Sequence, residues 1–452
     1  MTIVTSFVGL CLLIVIGKLT RVHIPLFQKL YLPASVIGGI VGLTLIQIFG
    51  DSMPSEWTAG WSKLPGFLIN IVFAALFLGV VIPPLSTVWK RSGPQLAYGQ
   101  IVVWGQYLIG LGFVLTFLGP LFNVPDLFGV VIPVGFEGGH GTAAGLAETF
   151  HHLGWPPGAD FCLASATAGI ISAIIVGIAL INWAARKGYI VHVKQFASMS
   201  SEEMSGLYPL DKRPSAGSQT TSADSVDSLA IHLSIIGIAV LIGYGIKMGL
   251  MFLENNLFNW SMKIFTGFPL FPLCMIGGLI LQLFFSRFAK IHPVDHTLMQ
   301  RLAGTALDFL VVAAISTIRL QVIFQSITPF LIIVVAGIIW NVFCVIFLAR
   351  RLLPNCWFER AIAEMGQSMG VTATGLLLLR AVDPEQKTEA ASAFGYKQLL
   401  HEPFMGGGLW TSTAVLLVAS QGGLMVLLIS GSAILLWMLI WWLFLRKYKT
   451  VG

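Results

Sequence analysis

Residues 127–150 read LFGVVIPVGFEGGHGTAAGLAETF, an apolar run broken at its middle by Gly135-Phe-Glu137-Gly138-Gly139-His140-Gly141-Thr142. The run is long enough to span a bilayer, but an acid, a histidine and glycines stand where the hydrocarbon is thickest. There an unpaired backbone N–H or C=O costs several kcal/mol, so broken backbone persists only where protein, water or a ligand satisfies it. The reading is a re-entrant hairpin whose tip borders a site. Residues 357–381 repeat the pattern around Glu364-Met-Gly366-Gln-Ser368-Met-Gly370-Val-Thr372-Ala-Thr374.

The rest of the 452 residues explains the setting. They are 56% hydrophobic and 10% charged, with a mean hydropathy of +0.85, which excludes soluble domains and, despite a net charge of +6, makes nucleic-acid binding a poor reading. Charge-poor runs at 2–17, 30–50, 64–89, 95–119, 161–185, 228–246, 264–286, 302–325 and 328–349, and two within 403–445, predict about eleven spans of an all-α polytopic membrane protein. If the first span begins outside, 22 of the 26 Lys and Arg fall on the inner side, Arg360 and Lys397 among them. The expectation is therefore a multi-pass protein of the cytoplasmic membrane with its N-terminus outside and its C-terminus in the cytoplasm. No basic region precedes the first span, so it reads as a retained helix and not as a signal peptide. The cysteines, Cys11, Cys162, Cys274, Cys344 and Cys356, lack metal-clamp spacing and read as apolar thiols.

A Ser-rich polar stretch, 186–227, reads as a cytoplasmic linker between two halves, 1–185 and 228–420, with an additional helix at 424–446. The halves echo each other. Pro33-Ala-Ser-Val-Ile-Gly38-Gly39 returns as Pro272-Leu-Cys-Met-Ile-Gly277-Gly278, and Thr142-Ala-Ala-Gly145-Leu146 as Thr372-Ala-Thr-Gly375-Leu376, at offsets of 239 and 230 residues. Five spans and one hairpin per half is an odd number of crossings, so the second half enters the membrane upside down, the inverted repeat of secondary transporters.

Chemistry concentrates at the hairpins. Gly138, Gly139, His140, Gly141 and Thr142 let backbone dipoles approach a small ion or carboxylate, and a helix beginning near Thr142 would aim its N–H groups there. Ser368, Gly370, Thr372 and Thr374 supply hydroxyls and backbone for sodium or a zwitterion. Glu137 and Asp308 are candidate sodium ligands, because ionisable groups within spans are functional by default. Arg319 either meets a substrate carboxylate or reaches to the outer surface; the sequence leaves both open. Glu402 and Asn341 read as core hydrogen-bonding residues, and the Gly38-Gly39 and Gly277-Gly278 pairs as tight helix packing. Gly366-Gln-Ser368-Met-Gly370 also matches a nucleophile elbow with His401 or His140 as base, but the strand such an elbow needs is missing.

The sequence resembles the bacterial sodium/glutamate symporter family. The likeness rests on Gly138-Gly-His140-Gly-Thr142-Ala, the position of that hairpin, the two five-span halves and the polar central loop. The family's second hairpin typically carries a Gly-Met-Gly-Ala-Thr-Pro-like stretch, whereas Met365-Gly366-Gln-Ser-Met-Gly370-Val-Thr372 has no proline. The resemblance implies sodium as coupling ion, no organic cofactor, and symport of glutamate or a similar small carboxylate; a homodimer is compatible with it. An organic-anion exporter or exchanger on the same plan, or an intramembrane serine hydrolase using Ser368, are the alternatives.

Overall fold

The computed structural model describes residues 2–30, 32–50, 55–80, 85–190, 206–222, 224–257, 264–288, 293–383 and 387–447, which are helical with no strand. In the first half lie α1 (Thr2–His23), α2 (Ala34–Phe49), α3 (Ser55–Ala75) and α4 (Leu85–Phe113), the last extended by a π-helical turn at Val114–Leu118. The first hairpin follows, running in through Asp126–Val130 and Pro133–Glu137 and out through Gly139–Gly145 and Ala147–His152, and α5 (Pro157–Arg186) closes the half. The second half holds α6 (Ser228–Leu257), α7 (Phe271–Phe288), α8 (His296–Ser316), α9 (Leu320–Gln325) and α10 (Ile327–Phe343), with a π-helical turn at Cys344–Leu348. The second hairpin, Trp357–Ser368 and Thr372–Val382, leads to α11 (Ala390–His401), α12 (Leu409–Gln421) and the additional α13 (Gly423–Ile440).

Among the described residues eight helices, α1, α4 to α8, α10 and α13, are long and apolar enough to cross a membrane. The other three expected spans fall on α2, on α3 and on α11 with α12. Three boundaries differ from the sequence reading. The expected span 64–89 ends at Ala75, α4 already begins at Leu85, and residues 81–84 lie outside the described ones. The span 302–325 is two helices, because the chain breaks at Thr317–Arg319. The span after Glu402 is the second piece of an interrupted helix, broken between His401 and Leu409, where Pro403 and three consecutive glycines deny regular hydrogen bonding.

Packing sorts the helices into two units. α1, α2, α3, α6, α7 and α8 form one bundle, with small cores around Leu13, Trp61 and Val312 and around Ala74, Ala239 and Met299. α4, α5, α10, both hairpins, α11, α12 and α13 form the other, around a large core that includes Tyr107, Phe136, Phe358 and Phe394. The expected role of the glycine pairs is visible in their contacts. A Cβ on Gly38 would strike the Leu13 carbonyl of α1, and one on Gly277 the Ala239 carbonyl of α6. Gly39 faces Ile315 of α8, and Gly278 faces Ala74 of α3. Each pair thus lies against the first helix of its own half and the third helix of the other. Likewise the π-helical turns begin at Val114 and Cys344, 230 residues apart, the offset of Thr142 and Thr372.

Of the expected linker, residues 191–205 and 223 lie outside the described ones. Residues 206–217 dock on the bundle: Lys18 Nζ donates to the Gly206 carbonyl at 2.8 Å, and Gly217 packs on Leu298. α8 is capped by Asp295, whose carboxylate accepts from Leu298 N at 2.9 Å. α13 lies along α4; at its start Gly423 N donates to Asp126 of the first hairpin at 2.7 Å, and just past its end Trp441 Nε1 donates to the Leu352 carbonyl, beyond α10, at 2.7 Å. The cysteines are free thiols, with Cys162, Cys274 and Cys344 buried.

Candidate functional site

A cavity of about 320 Å³ opens along the seam between the two units. From the bundle it is walled by Ser35 and Val36 of α2, Ile69 and Phe73 of α3, and Leu307 and Asp308 of α8; from the other unit by Gly138 and His140 to Thr142, by Val371 to Ala373, and by Glu402 and Gly406. Both hairpin tips and the broken helix therefore converge on one space, where irregular backbone is tolerated because it lines a cavity. Asp308 faces them from the opposite wall.

The local geometry follows from residue choice. The helix expected near Thr142 begins earlier, at Gly139, whose φ of +67° makes the turn out of Gly138. His140 is buried and its Nε2 lies 2.9 Å from Thr167 Oγ1. Gly407, at φ +93°, lets the broken helix close onto Thr142; any Cβ there would collide with the threonine hydroxyl. Thr372 opens the eleven-residue outgoing helix of the second hairpin, so the positive end of that helix dipole stands at the cavity. Its hydroxyl donates to Glu402 Oε2 at 3.0 Å and accepts from Gln398 Nε2 at 2.7 Å. A Cβ on Gly139 would sit 3.5 Å from the Gly370 carbonyl, so the two tips touch.

Behind the tips runs a buried polar network. Glu137 Oε1 accepts from Gln367 Nε2 at 2.7 Å and lies 2.5 Å from His401 Nε2, joining the first hairpin to the second and to α11. His401 Nδ1 meets Gln100 Nε2 of α4 at 3.3 Å. Lys397 Nζ donates to Glu364 Oε1 at 2.6 Å, and Gln95 Nε2 to Glu364 Oε2 at 2.8 Å. The remaining Glu137 oxygen, Oε2, is buried without a hydrogen-bond partner among the described residues. Charges this deeply buried persist only when paired, and removal of one partner of such a pair costs about 3–5 kcal/mol.

Not every expected site residue is here. Arg319 stands at the break between α8 and α9, where its backbone N–H and guanidinium grip Asp160 of α5, with Nη2 at 2.7 Å. It lies outside the cavity described above and its charge is already paired. Gly370 and Thr374 face each other within the second hairpin, behind the wall. Ser368 is fully buried and its hydroxyl donates to Asn341 Oδ1 at 2.7 Å. His401 and His140 are engaged elsewhere, so the elbow reading has no base next to its serine. Conversely, Lys397 and Arg360, counted from sequence among the charges of the inner side, are both buried.

An all-helical polytopic membrane protein, with two helical hairpins and an interrupted helix gathered on one cavity, is the class these features define. The chain belongs to the sodium/glutamate symporter family, whose model matches residues 1–384. It is 21% identical over 408 residues to the sodium/glutamate symporter of Haemophilus influenzae, an alignment covering 87% of this chain and 91% of that protein. Membership of this family indicates a transporter and not an enzyme.

Proposed function

We propose that the chain carries out sodium-coupled symport of glutamate or a similar small carboxylate by alternating access. The observation that carries this reading is the cavity at the seam of two packing units, with Asp308 on one wall and both hairpin tips and Glu402 on the other. The bundle serves as scaffold, the hairpin unit moves past it, and the cavity faces one side of the membrane and then the other. The matching glycine contacts and π-helical turns of the two halves support an inverted duplication, which gives such a carrier two related gates. The charge distribution supports an outer N-terminus and a cytoplasmic C-terminus in the cytoplasmic membrane.

Sodium prefers hard oxygen ligands, and the residues present offer them: Asp308 and the tip backbone on the cavity wall and, behind the tips, Oε2 of buried Glu137, which has no hydrogen-bond partner among the described residues. The substrate carboxylate meets the positive end of the Thr372–Val382 helix and the hydroxyls of Thr142 and Thr372. Bound sodium lowers the electrostatic cost of the anion, and by reciprocity the anion tightens sodium; that coupling free energy is what makes the transport symport.

Uptake of labelled glutamate into proteoliposomes should rise at least tenfold with an inward sodium gradient, and Asp308→Asn should remove most of that rise. Absent or gradient-independent uptake of every amino acid and dicarboxylate tested would overturn the reading. Counterflow without any ion gradient would favour the exchanger instead.

A further inference from the structure

Lys397 is the least expected side chain in the molecule: a lysine with no exposed surface, on α11, directly behind the hairpin tips. Its ammonium is held by Glu364 Oε1 at 2.6 Å, Gln398 Oε1 at 2.9 Å and Gln367 Oε1 at 3.2 Å. Side-chain oxygens converging on a dehydrated monovalent cation are what a carrier offers sodium, and here a tethered cation occupies the place. The two glutamines pass the connection on. Gln367 donates its amide to Glu137 at 2.7 Å, and Gln398 donates to Glu402 at 2.8 Å. One ammonium is thereby wired to three carboxylates: Glu364 directly, and through one amide each Glu137 of the first hairpin and Glu402 of the cavity wall. From the packed elements around it, α4 contributes the amides Gln95 and Gln100 and the buried phenols Tyr98, near Glu364, and Tyr107, near Glu137, and α11 adds His401 on Glu137. The family match ends at residue 384, before Lys397, His401 and Glu402.

We propose that Lys397 is a resident counter-ion standing where a coupling cation would otherwise sit, so that the charge balance of Glu137, Glu364, Glu402 and Lys397 sets how tightly sodium is held. The proposal rests on the sodium-coupled reading. It makes Lys397 and Glu364 positioning residues that act on the ion through charge, and it predicts opposite effects from removing opposite charges. Lys397→Met leaves the core one charge more negative and strengthens sodium binding. Glu364→Gln leaves it one charge more positive and weakens binding. The double variant, Glu364→Gln with Lys397→Met, restores the balance.

The test uses the purified full-length chain and two readouts: sodium-dependent thermal stabilisation in detergent, with choline holding ionic strength constant, and sodium activation of uptake in proteoliposomes. A unit charge removed from within about 10 Å in a partly desolvated interior shifts the half-saturating sodium concentration roughly tenfold, down for Lys397→Met and up for Glu364→Gln. The double variant should return to within about threefold of the parent. A pair that serves only as structure gives shifts in the same direction for both single variants, or no recovery in the double; either result overturns the proposal. Should a single variant fail to fold, the double and Lys397→Arg decide, since both keep the balance and both must titrate like the parent. A parent protein indifferent to sodium sinks the symport reading; a sodium-dependent parent with flat variants sinks the resident counter-ion alone.

Discussion

At the residue scale, the site depends on positions where side-chain identity and backbone geometry are inseparable. Gly407 combines a left-handed φ of +93° with a clash between any Cβ and the Thr142 hydroxyl. Gly407→Ala would pay about 1–2 kcal/mol for the conformation alone and would also push Thr142 off the cavity wall. Uptake should fall more than tenfold while the protein still inserts and purifies; unchanged uptake would remove this contact from the mechanism. Lys397 shows why a residue can escape a reading from sequence. Counting positive charges by side says only which side of the membrane Lys397 falls on and nothing of its burial. The buried residues of α11 are Ala390, the adjacent Ala393 and Phe394, Lys397 and His401, which recur at steps of three or four, so the lysine occupies a core position on the inward face of the helix. Asp308, by contrast, was legible because an acid inside an apolar run has no topological role to perform.

At the element scale, both hairpins were legible because glycine and polar residues interrupt otherwise apolar runs, whereas the breaks within α8–α9 and α11–α12 were not. A charge-free run measures length in hydrocarbon and says nothing of continuity, and Pro403 stood at the expected start of a span, where proline is innocuous. The α8–α9 break is held by Arg319, which meets Asp160 of α5 and the Pro156 carbonyl. Asp160 is nearly buried in this pair while the arginine is half exposed, so the arginine shelters and satisfies the acid. Arg319→Ala strands the carboxylate and should cost about 1–3 kcal/mol, read as a lower unfolding temperature in detergent. Arg319→Gln combined with Asp160→Asn, which leaves no stranded charge, should lose less. If the single and double variants melt alike, the pair is not what secures the break.

At the scale of the whole molecule, two short echoes 239 and 230 residues apart divide the chain into halves, whereas packing divides it into bundle and hairpin unit, each drawing helices from both halves. Those echoes mark the elements that meet partners across the molecule. The glycine pairs carry contacts between halves within the bundle, and the two Thr-containing turns supply the hairpin side of the cavity. Which helices pack together depends on faces of apolar helices that look alike in a chain this hydrophobic, so the partition emerges only from the packed structure. The proposed cycle requires the cavity walls to slide against each other, because a space walled by one rigid body could not open to two sides in turn. Val36 belongs to the bundle and Ala373 to the second hairpin, and both line the same cavity of about 320 Å³. With the native cysteines replaced, Val36→Cys and Ala373→Cys joined by a short, reducible bifunctional thiol reagent should stop uptake almost completely, and reduction should restore it. Either cysteine alone, treated with the same reagent, controls for blockage of the cavity, since a pendant reagent obstructs without tying the units together. Full transport by the cross-linked protein would mean that the seam does not move, and the cycle would then have to run within the hairpin unit itself.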